Sequence, residues 1–162
     1  MAIADDLLTL AEHLTKPAAA DPEQAWLRRS ISTAYYALFH LLICNAAQRW
    51  MGSPEAKLGL ERAFKHDQMK EVSRSVGTGS WKGWSNPRLP IPSDLRDVAF
   101  SFVKLQELRH EADYSNEKLW SQSDVARIVA EARIAFQKWK GISGSAVADE
   151  YLLSLLIGKK RE

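Results

Sequence analysis

Arg29-Ser30-Ile31-Ser32-Thr33-Ala34-Tyr35-Tyr36-Ala37-Leu38-Phe39-His40 contains no helix breaker and lies across two apolar stripes at once. Leu27, Ile31, Ala34, Leu38 and Leu41 recur at helical spacing along one line, and Tyr35, Phe39, Leu42 and Ala46 along a second. From Ile31 onward such a helix keeps little surface for solvent, which predicts the central helix of a bundle. Asp21 as cap, Pro22 at the first helical position and Gln24 three residues after the cap mark its start. Gly52-Ser53-Pro54 ends the pattern, so the expected span runs from Pro22 to about Met51.

Outward from this segment the chain reads as helix nearly throughout. Leu7, Leu8, Leu10, Ala11 and Leu14 predict a first helix from about Ile3 to Thr15, stopped at Lys16-Pro17, because a residue before proline disfavours the α region. Pro54 opens a third helix expected to reach about Val76 on a ragged stripe of Leu58, Leu60, Phe64, Met69 and Val72. Residues 77–92 hold three glycines and three prolines and predict a long loop, a feature often tied to function. Ser93 caps a fourth helix carrying Asp94, Leu95, Val98, Phe102, Leu105 and Ala112, to about Tyr114. A fifth, capped by Ser121 or Ser123, runs on Val125, Ile128, Val129, Ala132, Ala135, Phe136 and Trp139 to about Lys140, where Gly141 is expected to stop it. After Ser143-Gly144-Ser145 a last helix, about Ala146 to Ile157, carries Val147, Tyr151, Leu152, Leu155 and Leu156 before the tail Lys159-Lys160-Arg161-Glu162. The expected fold is all-α: one domain over 1–162, an antiparallel bundle of five core helices (about 5–140) with a peripheral C-terminal helix (about 146–157).

Composition narrows the function. With 162 residues, 46% of them hydrophobic, the chain can bury one sizeable core. Cys44 is the only cysteine, so no internal disulfide forms, and no zinc spacing is present; a reducing cytoplasm and no structural metal or cofactor are expected. Met1-Ala2-Ile3-Ala4-Asp5-Asp6 lacks the basic flank and apolar run of a secretory signal, and no apolar run approaches about 18 residues, so no membrane association is expected. A net charge of +2 does not mark a nucleic-acid binder by itself.

Local clusters carry the chemistry. Arg109 continues the stripe Leu95, Val98, Phe102 and Leu105 into an apolar face, and Asp113 sits one turn on, within ion-pair reach. Such a pair has two readings: a buried structural pair, or an arginine fork for phosphate. Tyr114 at the helix end reads as a core tyrosine or as a base-stacking group. Tyr35 and Tyr36 point about 100° apart, so at most one is expected to share a site with Arg109. Arg28 and Arg29 oppose the dipole of the second helix, which calls for an acidic neighbour such as Glu23 or a bound phosphate. Arg74, Lys82 and Arg88 with Trp81 and Trp84 could grip a single strand, or the tryptophans could anchor the loop to the bundle. The cationic tail reads as a solvated terminus, and His13 as surface.

The segments Arg29–His40, Phe64-Lys65-His66 and Leu108-Arg109-His110-Glu111-Ala112-Asp113-Tyr114, with the helix order, resemble the HEPN superfamily over roughly residues 5 to 140. The resemblance implies an antiparallel bundle, usually dimerised through the motif-bearing helices. It also implies metal-independent RNases, toxin halves of toxin-antitoxin pairs, or nucleotide and nucleic-acid binders. Its RNase signature is an arginine and a histidine separated by four to six residues, but Tyr114, Ser115 and Asn116 stand at those positions after Arg109. Arg109, Asp113 and Tyr114 match instead the Arg-x-x-x-Asp-Tyr ending of stand-alone members. His110, about 100° away around the helix, does not simply substitute for the histidine. By resemblance Arg109 and Tyr114 are the catalytic candidates, and Arg109, Asp113, Tyr36, Arg29, His40 and His66 the ligand-binding ones, with no metal or cofactor. The implied function is a cytoplasmic homodimer that binds RNA or a nucleotide, a toxin-like protein with a degenerate RNase site. The alternative is a non-catalytic module recruiting an antitoxin or nucleotidyltransferase partner.

Overall fold

The computed structural model describes residues 2–18, 20 and 23–161, and the described residues are all-helical, with seven helices and no strand. These are α1 Ala2–Leu14, α2 Glu23–Arg49, α3 Pro54–Arg62, α4 His66–Thr78, α5 Ser93–Tyr114, α6 Gln122–Ile142 and α7 Ala146–Ile157. The start signal expected of Asp21 and Pro22 lies outside the described residues, as do Met1, Ala19 and Glu162. Among the described residues no helix is long and apolar enough to cross a membrane. The chain divides into two compact units, Met1–Leu41 with Ser101–Gln137 and Leu42–Phe100 with Lys138–Glu162, the division falling within α2, α5 and α6.

In the first unit α1 buries Ala4, Leu8, Ala11 and Leu14, one line at helical spacing, while Leu10 of the expected stripe is exposed. From α2 come Leu27, Ile31, Ala34, Tyr35, Leu38 and Leu41; from α5, Phe102, Leu105 and Ala112; from α6, Val125, Ile128, Val129, Ala132 and Phe136. Polar contacts set the register of these faces. Ser30 Oγ, fully buried, donates to the Ala11 carbonyl at 2.7 Å, so a small residue on α2 lets α1 approach closely. Lys104 pairs with Glu131 at 2.7 Å, and Arg133 pairs with Glu12. Ser121 Oγ accepts from the Asp124 N–H at 3.1 Å, which selects Ser121 as the cap of α6.

In the second unit the single helix expected from Pro54 to Val76 is two. Ser53 Oγ caps α3 by accepting from the Ala56 N–H at 3.1 Å, and α3 buries none of its residues. The chain then breaks, Lys65 adopting an extended φ of −114° before α4. The raggedness of the stripe has this cause: Phe64, Met69 and Val72 are buried whereas Leu58 is exposed, and no unbroken helix offers both registers. Gly79, at φ 81°, closes α4 in the left-handed region. Gly141 does not stop α6; the turn is made three residues later by Gly144 at φ 87°.

The C-terminal helix, expected at the periphery, supplies Val147, Tyr151, Leu152 and Leu155 to the buried interior of this unit. Ser145 caps it, accepting from the Ala148 N–H at 3.3 Å. Tyr151, fully buried, meets Ser73 Oγ on α4 at 2.7 Å and the Trp139 ring at 6.0 Å. Gln68 Nε2 of α4 donates to the Leu156 carbonyl at 2.6 Å, satisfying an orphan acceptor at the end of α7.

Candidate functional site

Arg109 stands on the last turns of α5 with its side chain 16% exposed, deep for a group that always carries charge. Two aromatic rings seat it. The guanidinium carbon lies 5.2 Å from the Tyr35 ring centroid and 5.6 Å from that of Tyr36, both within cation–π range. The expectation that at most one of these tyrosines shares a site with Arg109 is therefore corrected. Their rings meet edge to face at 5.3 Å and form two walls of one seat, and a four-bond side chain reaches between them. Tyr35 is fully buried and Tyr36 half-buried.

Hydrogen bonding around this cation is incomplete. Nη1 donates to Tyr36 Oη and to Asp113 Oδ2, each at 3.4 Å, the long end of the range. Nε is buried and has no partner among the described residues. Asp113 is shared, since its Oδ1 accepts a short hydrogen bond from the buried Ser32 hydroxyl of α2. One turn before Arg109 on the same helix face, the buried Gln106 Oε1 also lacks a partner among the described residues. Gln106 was not singled out from the sequence; its only signal there is a polar residue beside Leu105 within the apolar stripe. An unpartnered donor and an unpartnered acceptor thus lie on one face of α5, within the described residues.

The end of α5 is fixed from α2. Arg28 donates to the carbonyls of Ala112 at 2.8 Å, Ser115 at 2.6 Å and Lys118 at 2.7 Å. Neither Glu23 nor a phosphate is needed to explain Arg28; its partner is the negative end of another helix. The capping role expected of Gln24 involves Asp21, which lies outside the described residues. The Gln24 amide brackets the Trp120 backbone, donating to the carbonyl at 2.8 Å and accepting from the N–H at 2.9 Å.

The remaining candidates are dispersed. Tyr114 is 68% exposed, not core, and its ring lies 4.8 Å from that of His110, also exposed. Arg29 is exposed on α2. His40 is half-buried with its ring edge-on to Phe39 at 5.5 Å. His66 belongs to the second unit, as the first residue of α4. The loop tryptophans are anchors: Trp81 is buried and donates to Ser154 Oγ at 3.0 Å, and Trp84 Nε1 donates to the Gly158 carbonyl at 3.0 Å. Trp81, being buried, is not available as a stacking platform. Among the described residues no group of three or more His, Cys, Asp or Glu side chains is placed to hold a metal.

Cys44, in the second unit, has its thiol pushed up to about 11, first by burial and then by the charge and hydrogen bond of Glu61. At pH 8 a thiol so displaced is thiolate in about one molecule in a thousand. Its alkylation by iodoacetamide is then expected to run about a hundredfold slower than that of an ordinary thiol, and Glu61→Gln to accelerate it. Labelling followed by mass spectrometry between about pH 7 and 10 checks this; a rate equal to that of a free peptide thiol contradicts it.

Neither a scan against protein-family models nor searches of curated proteins and solved structures gives a match for this chain.

Proposed function

We propose that this chain is a HEPN-like helical bundle that binds RNA or a nucleotide, with Arg109 as the phosphate-contacting group. The observation that carries this reading is the state of Arg109: seated on two rings, only long hydrogen bonds from Nη1, and a buried Nε without a partner among the described residues. A purely structural arginine would be expected in a tight bidentate pair with Asp113. Asp113, held by Ser32, orients the guanidinium and leaves part of its fork for an anion. Exposed Tyr114, its ring tilted against that of His110, supplies an aromatic surface for a base at the same helix end.

In this reading the protein is a cytoplasmic homodimer formed through α2 and α5, a toxin-like partner in a two-gene system. The histidine expected after Arg109 is replaced by Tyr114, Ser115 and Asn116, so binding is retained and metal-independent cleavage is degenerate. Were cleavage retained, Arg109 would stabilise the phosphate while the 2′-hydroxyl attacks phosphorus to give a 2′,3′-cyclic phosphate and the P–O bond to the 5′-oxygen breaks, with Tyr114, His110 or a histidine from elsewhere taking the 2′-hydroxyl proton or protonating the leaving 5′-oxygen. A second reading, a non-catalytic module that recruits a protein partner, is favoured by Tyr114 at the end of α5 and Leu119 in the loop after it, both strongly exposed.

Fluorescence polarisation with a labelled single-stranded RNA separates the two. Arg109→Ala is expected to weaken RNA binding about tenfold or more, and Arg109→Lys to restore only part of it, because an ammonium cannot replace a fork. Unchanged affinity in an Arg109→Ala protein with native circular dichroism would sink the reading of Arg109 as the phosphate contact and favour the recruitment one for this site.

A further inference from the structure

The loop before α5 and the tail after α7, far apart in sequence, meet in the second unit. At Gly158 the backbone takes φ 89°, a conformation that favours glycine, and turns the tail out of line with α7. Trp84 then fastens the two segments, its indole donating to the Gly158 carbonyl at 3.0 Å and its own carbonyl accepting from Lys160 Nζ at 3.3 Å. Glu150 of α7 holds the loop backbone from the other side, accepting from the N–H groups of Trp84 at 2.6 Å and Ser85 at 3.1 Å.

Between loop and tail lies a cavity of about 230 Å³ lined by Trp81, Lys82, Pro87, Lys159, Lys160 and Arg161, with no carboxylate in its lining. Lys159 pairs at 3.2 Å with Glu71, a largely exposed carboxylate. Four cationic side chains line so small a space, which favours an anion placed among them. The indole of Trp81 is buried and tied to Ser154, so it forms a fixed wall rather than a stacking surface. The volume is below the usual range for drug-sized ligands, which starts near about 300 Å³. It suits a compact, highly charged group.

We propose that this cleft binds phosphate, as a run of two or three phosphoryl groups carried by a free polyphosphate compound or by the backbone of a nucleic-acid strand. Lysines serve as point charges for phosphate oxygens, and Arg161 adds a planar fork. The site is independent of Arg109, and its test keeps the two apart.

Isothermal titration of the full chain with sodium tripolyphosphate, and with a uridine dodecamer, is the experiment. Lys82→Gln with Arg161→Gln, both at exposed positions, is expected to weaken tripolyphosphate binding about tenfold. The charge-matched control Lys57→Gln with Arg62→Gln on α3, and Arg109→Ala, are each expected to leave it within about twofold. In the Arg109→Ala chain, tighter binding of the dodecamer, falling steeply between about 50 and 200 mM salt and lost with Lys82→Gln and Arg161→Gln, identifies a strand as the source; tighter tripolyphosphate identifies a free ligand. Absence of binding by both, equal losses in the cleft and control variants, or loss only in Arg109→Ala overturns the proposal.

Discussion

Tyr35→Ala is expected to lower the free energy of unfolding by about 4 kcal/mol, the largest effect of any single truncation discussed here, in line with large-to-small changes at fully buried aromatic positions. The Tyr35 ring has no exposed surface and contacts three others, Tyr36 at 5.3 Å, Phe39 at 6.2 Å and Phe102 at 5.5 Å. Its removal loses the transfer energy of the ring and leaves a cavity that α2 and α5, pinned by Ser32 and Arg28, cannot close by shifting. It also removes one wall of the Arg109 seat, so on the proposed reading of that site RNA affinity falls along with stability. Tyr35→Phe keeps both the packing and the wall. Urea unfolding of both variants decides the matter: a loss below about 1.5 kcal/mol for the alanine variant would mean that the ring is not the centre of this core.

Arg28→Ala is expected to cost about 3 kcal/mol, less than the roughly 4.5 kcal/mol that three charged hydrogen bonds at about 1.5 each would give, because the site is only half-buried. Three carbonyls, of Ala112, Ser115 and Lys118, converge on one guanidinium at 2.6 to 2.8 Å, and no neutral side chain can replace that fork. Arg28→Lys is expected to recover less than half, since one ammonium cannot span three acceptors spread over seven residues. Denaturation gives the energy, and hydrogen exchange at residues 115–121 gives its location. Full protection of that loop in the alanine variant would show that Gln24 alone holds it.

Helix existence was legible in the chain and helix ends were less so. The stripe on α2 and the ends of α5 and α7 follow from spacing and caps, which are local. The break before α4 was visible only as a ragged stripe, because the burial of Phe64 against its own unit sets the register of α4 independently of α3. Gly141 misled because a glycine can remain in a helix when a better left-handed position, here Gly144, follows close behind. At the site, the Arg109–Asp113 pair was legible from its i, i+4 spacing. The double aromatic seat was not, since angular separation on α2 says nothing of how far an arginine can reach from another helix. Arg28 and Gln24 escaped for a related reason: their partners are main-chain groups around 90 residues away, and backbone acceptors leave no residue-type signal. The tryptophan loop was read with its anchoring role in view, and its contacts with α7 and Gly158 take that form.

The Arg28 clamp has a thermodynamic consequence for whatever meets Arg109. Asp113 and Tyr114 lie between the two carbonyls, of Ala112 and Ser115, that Arg28 grips, and Asp113 is itself tied to Ser32. The last turn of α5 would otherwise fray, as helix ends do, and a ligand would have to order it on arrival. Here that loss of chain entropy is met on folding. Association at this end of the helix is therefore preorganised, with rates governed by encounter rather than by a folding step in the site.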